Sequence, residues 1–293
     1  MTRAPRAPCY DHGLAGPKAA DGDIGSGDRR YMDHSFVIPV YRAAPHLTAL
    51  LESLRAQTGP RSEILLTSST PSAELAAITK HFGLSLHINP QRIDIAADWN
   101  FALGKAKTGL VTLAHQDDVF APNYVGELTG ALRRHPAALL AFCDYSEHTA
   151  LAARPANFNL TIKRALRWRA FGGREYISEV RDKMRLLSLG NPICCPSVMF
   201  NRGALGQFQF PKGYKTNLDW MAWLELARRP GGFVYVRECL VSKGVHADSE
   251  TTASILNRAR EREDLAIFAA LWPWPIAAAL ATLYKFGYRA NRS

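Results

Sequence analysis

Cysteine is scarce in this chain, and its spacing excludes two classes of protein. Only five cysteines occur in 293 residues, an odd number, and no two of them form a CxxC pair. A disulfide framework needs an even set of cysteines, and a zinc ribbon needs CxxC pairs. The sequence therefore argues against both and favours a reducing compartment.

The N-terminus lacks the apolar segment of a secretory signal. Residues 1–33 are instead rich in Gly, Pro, Asp and Arg and show no hydrophobic periodicity. Segments of this composition bury too little apolar surface to fold on their own. We therefore predict a mobile tail at 1–33 and a cytoplasmic protein.

Acidic residues are scarce in the second half of the chain. Residues 151–293 hold 22 Lys and Arg against 11 Asp and Glu, whereas residues 1–150 hold 14 and 15. A basic half suits an anionic partner, such as a membrane surface or a phosphorylated acceptor, although a solvated basic face explains it as well. No module of interleaved aromatic and basic residues is present, so nucleic acid is not an expected partner.

An uninterrupted apolar segment of membrane-spanning length is also absent. Residues 265–284 carry no charge, but Pro273 and Pro275 fall in the middle of this run, and proline breaks or kinks a helix. We predict a C-terminal segment, residues 251–293, of two short helices. They either lie on an anionic membrane surface, which would make the protein peripheral on the inner face of the membrane, or cover the domain.

The middle of the chain alternates short apolar runs with segments of helical periodicity. Strands are predicted at 35–41, 63–69, 84–88, 110–114, 138–143 and 196–200, and helices at 45–57, 71–83, 95–109, 122–135 and 216–229. Residues 150–190 are expected to be irregular, and 232–242 to form one long strand or a strand pair. The alternation predicts an open, mostly parallel α/β sheet with helices on both faces.

Polar residues follow three of these strands at the point where each strand ends. Tyr41 follows the first strand, which Pro39 is expected to stop, residues 67–70 follow the second, and HQDD follows the fourth. Because the carboxyl ends of parallel strands meet at one edge of a sheet, we expect one ligand site there. Asp117 and Asp118 repel each other unless a cation joins them, so the loop is either a metal site or a solvated turn.

The order of these motifs resembles that of family 2 glycosyltransferases of the GT-A fold, over residues 35–250. The matching motifs are VIPVYRAAPHLTALLESLRAQT at 37–58, DWN at 98–100, HQDD at 115–118 and LDW at 218–220. The resemblance implies transfer of a hexose, with inversion, from a nucleotide-diphosphate sugar to a glycan or lipid-linked acceptor. It also implies one catalytic domain. That domain would span 34–250, with a donor half at 34–148 and an acceptor half at 149–250.

The resemblance also implies a divalent cation, Mn²⁺ or Mg²⁺, that neutralises the leaving diphosphate. Asp117 matches the second aspartate of the family's D-x-D motif, and His115 stands where the first aspartate usually is. The cation is assigned to Asp117 and to His246, which matches a late histidine of the family but could equally be structural. Asp118 would orient the metal ligand, and an imidazole nearby would favour manganese.

The donor-binding residues that the resemblance implies lie at the strand ends and on the following helices. They are Pro39, Tyr41, Thr67, Ser69, Asp98, His115, Gln116 and Asp118. The second strand ends in hydroxyl residues, where family members commonly carry the aspartate that binds uracil, so UDP specificity loses its usual support. Ser69 or Thr70 could instead cap the next helix, and Asp98 could stabilise a helix N-terminus.

Asp219 matches the carboxylate that acts as general base at the start of a late helix in this family. Leu218 replaces the glutamate that often precedes it, and a helix cap is the alternative role for the aspartate. The acceptor-side residues implied by the resemblance are Cys195, Pro196, Ser197 and Trp220.

Two other functions stay open. AHQDD differs at one position from the AHPDD of zinc-dependent N-acetylglucosamine deacetylases, although those enzymes carry the motif after their first strand. A non-catalytic homologue that only binds nucleotide sugar is the second alternative, because the acid after the second strand and the first aspartate of D-x-D are both replaced.

Overall fold

The computed structural model describes residues 33–42, 45–91, 93–148, 158–245 and 259–290. Nine strands within these ranges form one mixed sheet. The strands are β1 (His34–Val40), β2 (Ser62–Ser68), β3 (Ser85–Ile88), β4 (Leu110–Leu113), β5 (Val119–Phe120), β6 (Ala138–His148), β7 (Tyr176–Ile177), β8 (Val198–Asn201) and β9 (Gly232–Gly244). Their order in the sheet is β3-β2-β1-β4-β8-β6-β9-β5, and β7 also pairs with β9.

The helices connect these strands and cover the sheet. They are α1 (Leu47–Arg55), α2 (Ala73–His81), α3 (Ile95–Lys105), α4 (Tyr124–Arg134), α5 (Phe158–Phe171), α6 (Val180–Leu187), α7 (Arg202–Leu205), α8 (Leu218–Ala227), α9 (Ala259–Leu271) and α10 (Trp274–Ala290). A short 3₁₀ turn, Cys195–Ser197, precedes β8.

The first four strands are parallel. β1 pairs with β2 from His34↔Ser62 onwards and with β4 from His34↔Leu110 onwards, and β2 pairs in parallel with β3. Their carboxyl ends therefore lie at one edge, which we call the rim. The predicted open α/β sheet is confirmed, and the order of its elements brings the three polar strand ends to the rim.

Pro39 lies inside β1 instead of ending it. Val37 O accepts a hydrogen bond from Ala114 N (3.0 Å), so the backbone polar groups of residues 37 and 39 face the β4 side. Because β4 ends at Leu113, the Pro39 nitrogen faces no strand residue of the described sheet. The missing N–H therefore removes no ladder bond, and the strand continues to Val40.

The second half of the sheet is mixed in direction. β8 is antiparallel to both β4 and β6, and β6 is parallel to β9. β9 is one long strand rather than a pair, because β6 continues beyond its predicted end at 143 and pairs with it as far as His148↔Gly244. The far end of β9 thereby reaches β5 and the polar loop before it.

Apolar side chains alternate between the two faces of β1. Phe36, Ile38 and Val40 belong to one buried cluster, and Val37 belongs to the other. Helices α1 and α4 pack into the first cluster, whereas α3, α8, α9 and α10 pack into the second. Helices on both faces of the sheet are therefore confirmed.

The expectation of irregular structure at 150–190 is wrong for its described part, which contains α5 and α6. Two neighbouring positions of α5 depart from the usual hydrophobic pattern, because Arg167 is 1% exposed and Trp168 is 69% exposed. The buried guanidinium pairs with Asp144 on β6 at 2.6 Å. These two positions weaken the periodicity from which the helix could have been predicted.

The C-terminal segment forms two helices that break at Trp272 and Pro273, as the prolines predict. Lys285 of α10 pairs with Glu261 of α9 at 2.8 Å, so the two helices form an antiparallel hairpin. Phe268 is fully buried and meets the Trp220 ring edge to face, with ring centroids 5.3 Å apart. Within the described ranges, no helix combines the length and apolarity that crossing a membrane requires.

The cysteines depart from expectation in one respect. Cys143, Cys194 and Cys195 are buried free thiols. Cys239, by contrast, is disulfide-bonded. The odd count of cysteines did not exclude a single pair.

Candidate active site

The carboxylate loop, residues 115–118, is fastened to the end of β9. Asp118 is buried, and its Oδ1 accepts a hydrogen bond from Gly244 N at 3.2 Å, whereas Asp117 is partly exposed. A side chain at Gly244 would overlap Asp117 O and would place its Cβ 3.0 Å from Asp117 Cβ, so only glycine allows this approach. Burial, together with the charge of Asp117, raises the pKa of Asp118 well above its usual range.

His115 is held beside Asp118 as a neutral imidazole. Burial lowers its pKa to about 4, and its ring packs on Trp99 with centroids 4.9 Å apart. His115 Nδ1 lies 3.9 Å from Asp118 Oδ2. His115 Nε2 and Asp118 Oδ2 are buried and make no hydrogen bond to a described residue. Such buried atoms call for an explanation, and a bound ligand would supply one.

Gln116 ties the carboxylate loop to the end of β1. Its Oε1 accepts a hydrogen bond from Tyr41 N at 2.9 Å, and its Nε2 donates to Tyr41 O at 3.4 Å. The side-chain amide therefore acts as one more rung between β1 and β4. The structure brings Tyr41 and Gln116 together, and it places Pro39 just before them.

Asp98 links the ends of β2 and β3. Its Oδ2 accepts from Ser69 Oγ at 2.7 Å, and its Oδ1 accepts from Asn89 Nδ2 at 2.8 Å. Thr67 is buried within β2, at 1% exposure. The predicted donor residues therefore meet along one rim, although Thr67 lies beneath its surface.

The capping alternative for Ser69 and Thr70 is wrong. The cap of α2 is Ser72, whose Oγ accepts from Leu75 N at 3.1 Å, so neither Ser69 nor Thr70 caps this helix. The cap of α3 is Asp94, which accepts from Ala97 N at 2.7 Å, and Asp98 lies in the first turn of α3, where a carboxylate stabilises the helix N-terminus. Both roles of Asp98, donor contact and charge stabilisation, are compatible with this position.

Asp219 is the second residue of α8, at the positive end of the helix dipole. Its Oδ1 accepts from Trp220 N at 2.7 Å, and its Oδ2 accepts from Asn191 Nδ2 at 2.9 Å. Burial raises the pKa of the Asp219 carboxyl, against the opposing effect of the Trp220 hydrogen bond. Asn217 occupies the N-cap position, so Asp219 is not the cap residue.

Cationic side chains connect the carboxylate loop with the Asp219 helix. The charge of Lys243, one residue before Gly244, lowers the pKa of both Asp118 and Asp219. Lys163 of α5 and Arg260 of α9 act on Asp219 in the same way. The charge of Lys243 therefore acts on both the carboxylate loop and the start of α8.

The four residues predicted on the acceptor side lie in the core behind Asp219. Cys195, Pro196 and Ser197 form the buried 3₁₀ turn, and Ser197 Oγ donates to Cys194 O at 2.7 Å. Trp220 is fully buried, and its Nε1 donates to Leu187 O at 3.1 Å. Because their side chains are covered, direct contact with an acceptor stays a prediction. His246 lies outside the described residues.

Sequence reasoning missed Asn191, Lys163 and Lys243. The basic composition of the second half was a signal for the lysines, but it named no position. Nothing local to Asn191 announces its contact with Asp219, because 28 residues separate the partners.

The residues present suit a metal that the substrate helps to bind. Among the described side chains, no group of three or more His, Cys, Asp or Glu is arranged to hold a metal ion. Mg²⁺ and Mn²⁺ in phosphate sites commonly use one or two carboxylates and take their other ligands from phosphate and water. Asp117 is the partly exposed carboxylate beside two buried unpartnered atoms, and it could supply such a ligand.

This sheet, with its rim and the helix that carries Asp219, has the GT-A fold of glycosyltransferases. The profile of glycosyl transferase family 2 matches residues 35–206, more than half of the chain, and the protein belongs to that family. It is 22% identical to an uncharacterised glycosyltransferase of Rickettsia prowazekii, over 79% of this chain and 69% of that protein. A Rickettsia typhi glycosyltransferase, also uncharacterised, is 21% identical over the same shares.

Solved structures share the fold at low sequence identity. S. aureus TarS in complex with UDP-GlcNAc is similar with a TM-score of 0.59 and 12% identity, over 85% of this chain and 70% of that one. A mannosyltransferase of Pyrobaculum calidifontis in complex with GDP-Man and Mn²⁺ is similar with a TM-score of 0.59 and 17% identity, over 88% and 70%.

Family membership settles one alternative. The chain is a nucleotide-sugar glycosyltransferase of family 2, so the deacetylase interpretation of AHQDD is wrong. That motif was shared by chance, because the position of a loop within the sheet, rather than its letters, decides what it faces.

Proposed function

We propose that the protein is an inverting hexosyltransferase that acts on a glycan or lipid-linked acceptor, with Asp219 as general base. The observation that carries this proposal is the setting of Asp219. It is a partly exposed carboxylate with a raised pKa, and the charge of Lys243 reaches both this residue and the carboxylate loop. A raised pKa brings a carboxylate closer to the pH at which general bases work best.

The reaction is a single displacement. The acceptor hydroxyl oxygen attacks the anomeric carbon from the face opposite the diphosphate, and Asp219 takes the hydroxyl proton. The bond from the anomeric carbon to the diphosphate oxygen breaks, and its electron pair stays on the nucleoside diphosphate. Lys243, whose charge acts on both the carboxylate loop and Asp219, is proposed to offset the negative charge that the leaving group gains.

The donor is a nucleotide-diphosphate sugar held along the rim by Tyr41, Ser69 and Asp98. TarS and the mannosyltransferase are seen with UDP-GlcNAc and with GDP-Man, so related folds accept different nucleobases. The hydroxyl groups at the end of β2 do not indicate which nucleobase the donor carries. A thermal-shift panel of nucleoside diphosphates and nucleotide sugars, with and without Mn²⁺, identifies the donor as the compound with the largest shift.

Mn²⁺ or Mg²⁺ is proposed to bind Asp117 together with the donor diphosphate. When bound, the cation supplies Lewis-acid stabilisation of the diphosphate. Asp117→Ala should abolish the Mn²⁺-dependent part of the shift caused by the donor and keep the metal-independent part. A Mn²⁺-dependent shift of unchanged size in this variant would contradict the assignment.

Asp219→Asn tests the base. We expect turnover, measured as nucleoside diphosphate release from the donor, to fall by about a hundredfold or more, with donor affinity within about twofold. Glu225→Gln, on the exposed side of the same helix, is the matched control and should leave turnover unchanged. Equal turnover in Asp219→Asn and in the parent would refute the base. If the parent binds donor but releases nothing with any acceptor supplied, the non-catalytic alternative holds.

A membrane surface is the second proposed partner, and exposed apolar side chains of α10 support it. Trp274, Ile276 and Leu283 are 63%, 45% and 66% exposed, and exposed apolar side chains on an amphipathic helix favour the membrane interface. The full chain should float with anionic liposomes, whereas a variant with all three changed to serine should not. The serine variant is sharper than a truncation, because truncation also removes the buried Phe268. Flotation of both proteins, or of neither, would refute the proposal.

A further inference from the structure

The C-terminal hairpin of α9 and α10 packs into the core and also contacts Asn191, which is hydrogen-bonded to Asp219. Tyr284 of α10 accepts a hydrogen bond from Asn191 N at 3.0 Å through its hydroxyl oxygen. Asn191 Nδ2 in turn donates to Asp219 Oδ2 at 2.9 Å. Ile193 N donates to Asn191 Oδ1 at 3.2 Å, which fixes the amide with its NH₂ group towards Asp219.

The Asn191 loop, residues 187–193, is held by three aromatic side chains. Trp220 Nε1 donates to Leu187 O at 3.1 Å, and Trp272 Nε1 donates to Ser188 O at 2.8 Å. Tyr284 is the third, and its ring stacks on Trp220 with centroids 5.8 Å apart. Two of the three side chains come from the C-terminal segment. The loop that carries the hydrogen-bond donor to the base therefore depends on that segment.

Gly190 makes the approach of Tyr284 possible. Its φ is +149°, and a Cβ at this position would overlap the Tyr284 hydroxyl and lie 2.9 Å from two ring carbons. A larger residue would push the tyrosine away from Asn191, so the contact depends on residues from both sides.

The same hairpin also holds the start of the helix that carries Asp219. The Glu263 carboxylate accepts from the backbone N–H groups of Lys215 (2.7 Å), Thr216 (3.1 Å) and Asn217 (2.9 Å). Asn217 itself offers α8 no side-chain cap. A carboxylate from another helix therefore fixes the three residues that lead into α8, close to the end of the helix where the dipole favours negative charge.

We propose that Tyr284 is a positioning residue for the reaction, acting on Asp219 through Asn191, and that Glu263 holds the same base from the helix side. This proposal rests on the role of Asp219 as base in the proposed function. A hydrogen bond to the ionised carboxylate also favours the charged form. Tyr284 therefore influences both the position of the Asp219 carboxylate and the pH range in which it is ionised.

The groups that face Asp219 come from several elements. They are Lys163 of α5, Lys243 of β9, Arg260 of α9 and the buried thiols of Cys194 and Cys195. Tyr284 itself also acts on Lys163 and Arg260. A shift in the pH profile of a Tyr284 variant is therefore assigned to the Asn191 contact only if it disappears in an Asn191→Ala background.

Tyr284→Phe is the decisive variant, because it removes the hydroxyl and keeps the ring on Trp220. With the donor from the panel, we expect nucleoside diphosphate release to fall about tenfold while donor affinity stays within about twofold. The acid midpoint of the kcat profile should rise, since a weaker hydrogen bond to the carboxylate raises its pKa. Tyr176→Phe, on β7 and stacked on His135, is the matched control and should change neither quantity.

A double variant separates positioning from mere stability. In an Asn191→Ala background, Tyr284→Phe should add little further loss of turnover, because the path to Asp219 is already broken. Full additivity, or a lower melting temperature with an unmoved acid midpoint, would overturn the proposal. If Asp219→Asn keeps its turnover, the base assignment fails instead. The two failures are therefore distinguishable.

Discussion

Arg167 carries a stability prediction that needs no knowledge of the substrate. Its side chain is 1% exposed and pairs with Asp144, 13% exposed, at 2.6 Å. The guanidinium also donates to Pro192 O at 2.6 Å and to Tyr235 OH at 3.2 Å. Pro192 follows Asn191, so the guanidinium also supports the Asn191 loop.

Arg167→Met removes the guanidinium and leaves the Asp144 carboxylate buried without its cation. Breaking one side of a buried ion pair typically costs about 3–5 kcal/mol. At about 2–4 °C per kcal/mol for a domain of this size, the melting temperature should fall by roughly 6–20 °C. Urea unfolding followed by far-UV circular dichroism measures the free energy of unfolding directly.

Two further variants make the result interpretable. Arg164→Met changes an exposed arginine of the same helix and should alter the free energy of unfolding by less than about 0.5 kcal/mol. Asp144→Asn combined with Arg167→Met removes the stranded charge and should recover at least about 1 kcal/mol relative to Arg167→Met alone. A loss below about 1 kcal/mol for Arg167→Met, or strict additivity in the cycle, would refute the reasoning.

Three other predictions follow from single residues. Gly244→Ala should push the carboxylate loop away from β9 and lower turnover by up to about a hundredfold, whereas Gly104→Ala, with nothing within 4 Å of its Cβ, should not; equal kinetics would contradict the fastening of the loop. Burial lowers the pKa of His34 to about 3 from an unfolded value of 6.5, so unfolding binds a proton there, and this residue should lower stability by about 1.4 kcal/mol per pH unit below pH 6.5; the same pH dependence of the urea midpoint in the parent and in His34→Gln would disprove this. Lys243→Met should raise the acid midpoint of kcat, since Lys243 lowers the pKa of Asp219; an unchanged midpoint would remove it from the site.

The parallel half of the sheet follows from local patterns. Strands there are short apolar runs, helices show amphipathic spacing, and the rule that parallel strands share one ligand edge brings Tyr41, Ser69 and HQDD together. The elements at 34–135 were therefore predicted within a few residues, except for the two-residue β5, which was missed; β6 runs five residues beyond its predicted end. The prediction that Pro39 ends β1 was wrong, because the effect of this proline depends on where the neighbouring strand β4 ends.

The second half was harder to predict because its side chains contact residues that are distant in the sequence. In α5 an arginine is buried and the tryptophan next to it is exposed, which disturbs the hydrophobic periodicity of the helix. Arg167 can be buried because Asp144 of β6 neutralises it. In α8 apolar residues occur all round, because α9 and α10 cover the side that would otherwise face solvent. Contacts of this kind exist only after folding, so no window of sequence contains them.

Asp219 shows how far a motif reaches and where it stops. The letters NLDW were enough to propose the base, but its Asn191 partner, the Tyr284 behind that partner and the Glu263 at the helix start lie up to 93 residues apart in the chain. The prolines that argued against a membrane span have a structural consequence here. By ending α9 they allow α10 to turn back, so that Glu261 meets Lys285. The hairpin then presents Tyr284 to Asn191 and Glu263 to the residues that lead into α8. The family profile ends at residue 206, yet the proposed chemistry depends on side chains well beyond it. A substitution between 259 and 290 should therefore be interpreted as a change near the active site before it is interpreted as a change in a peripheral extension.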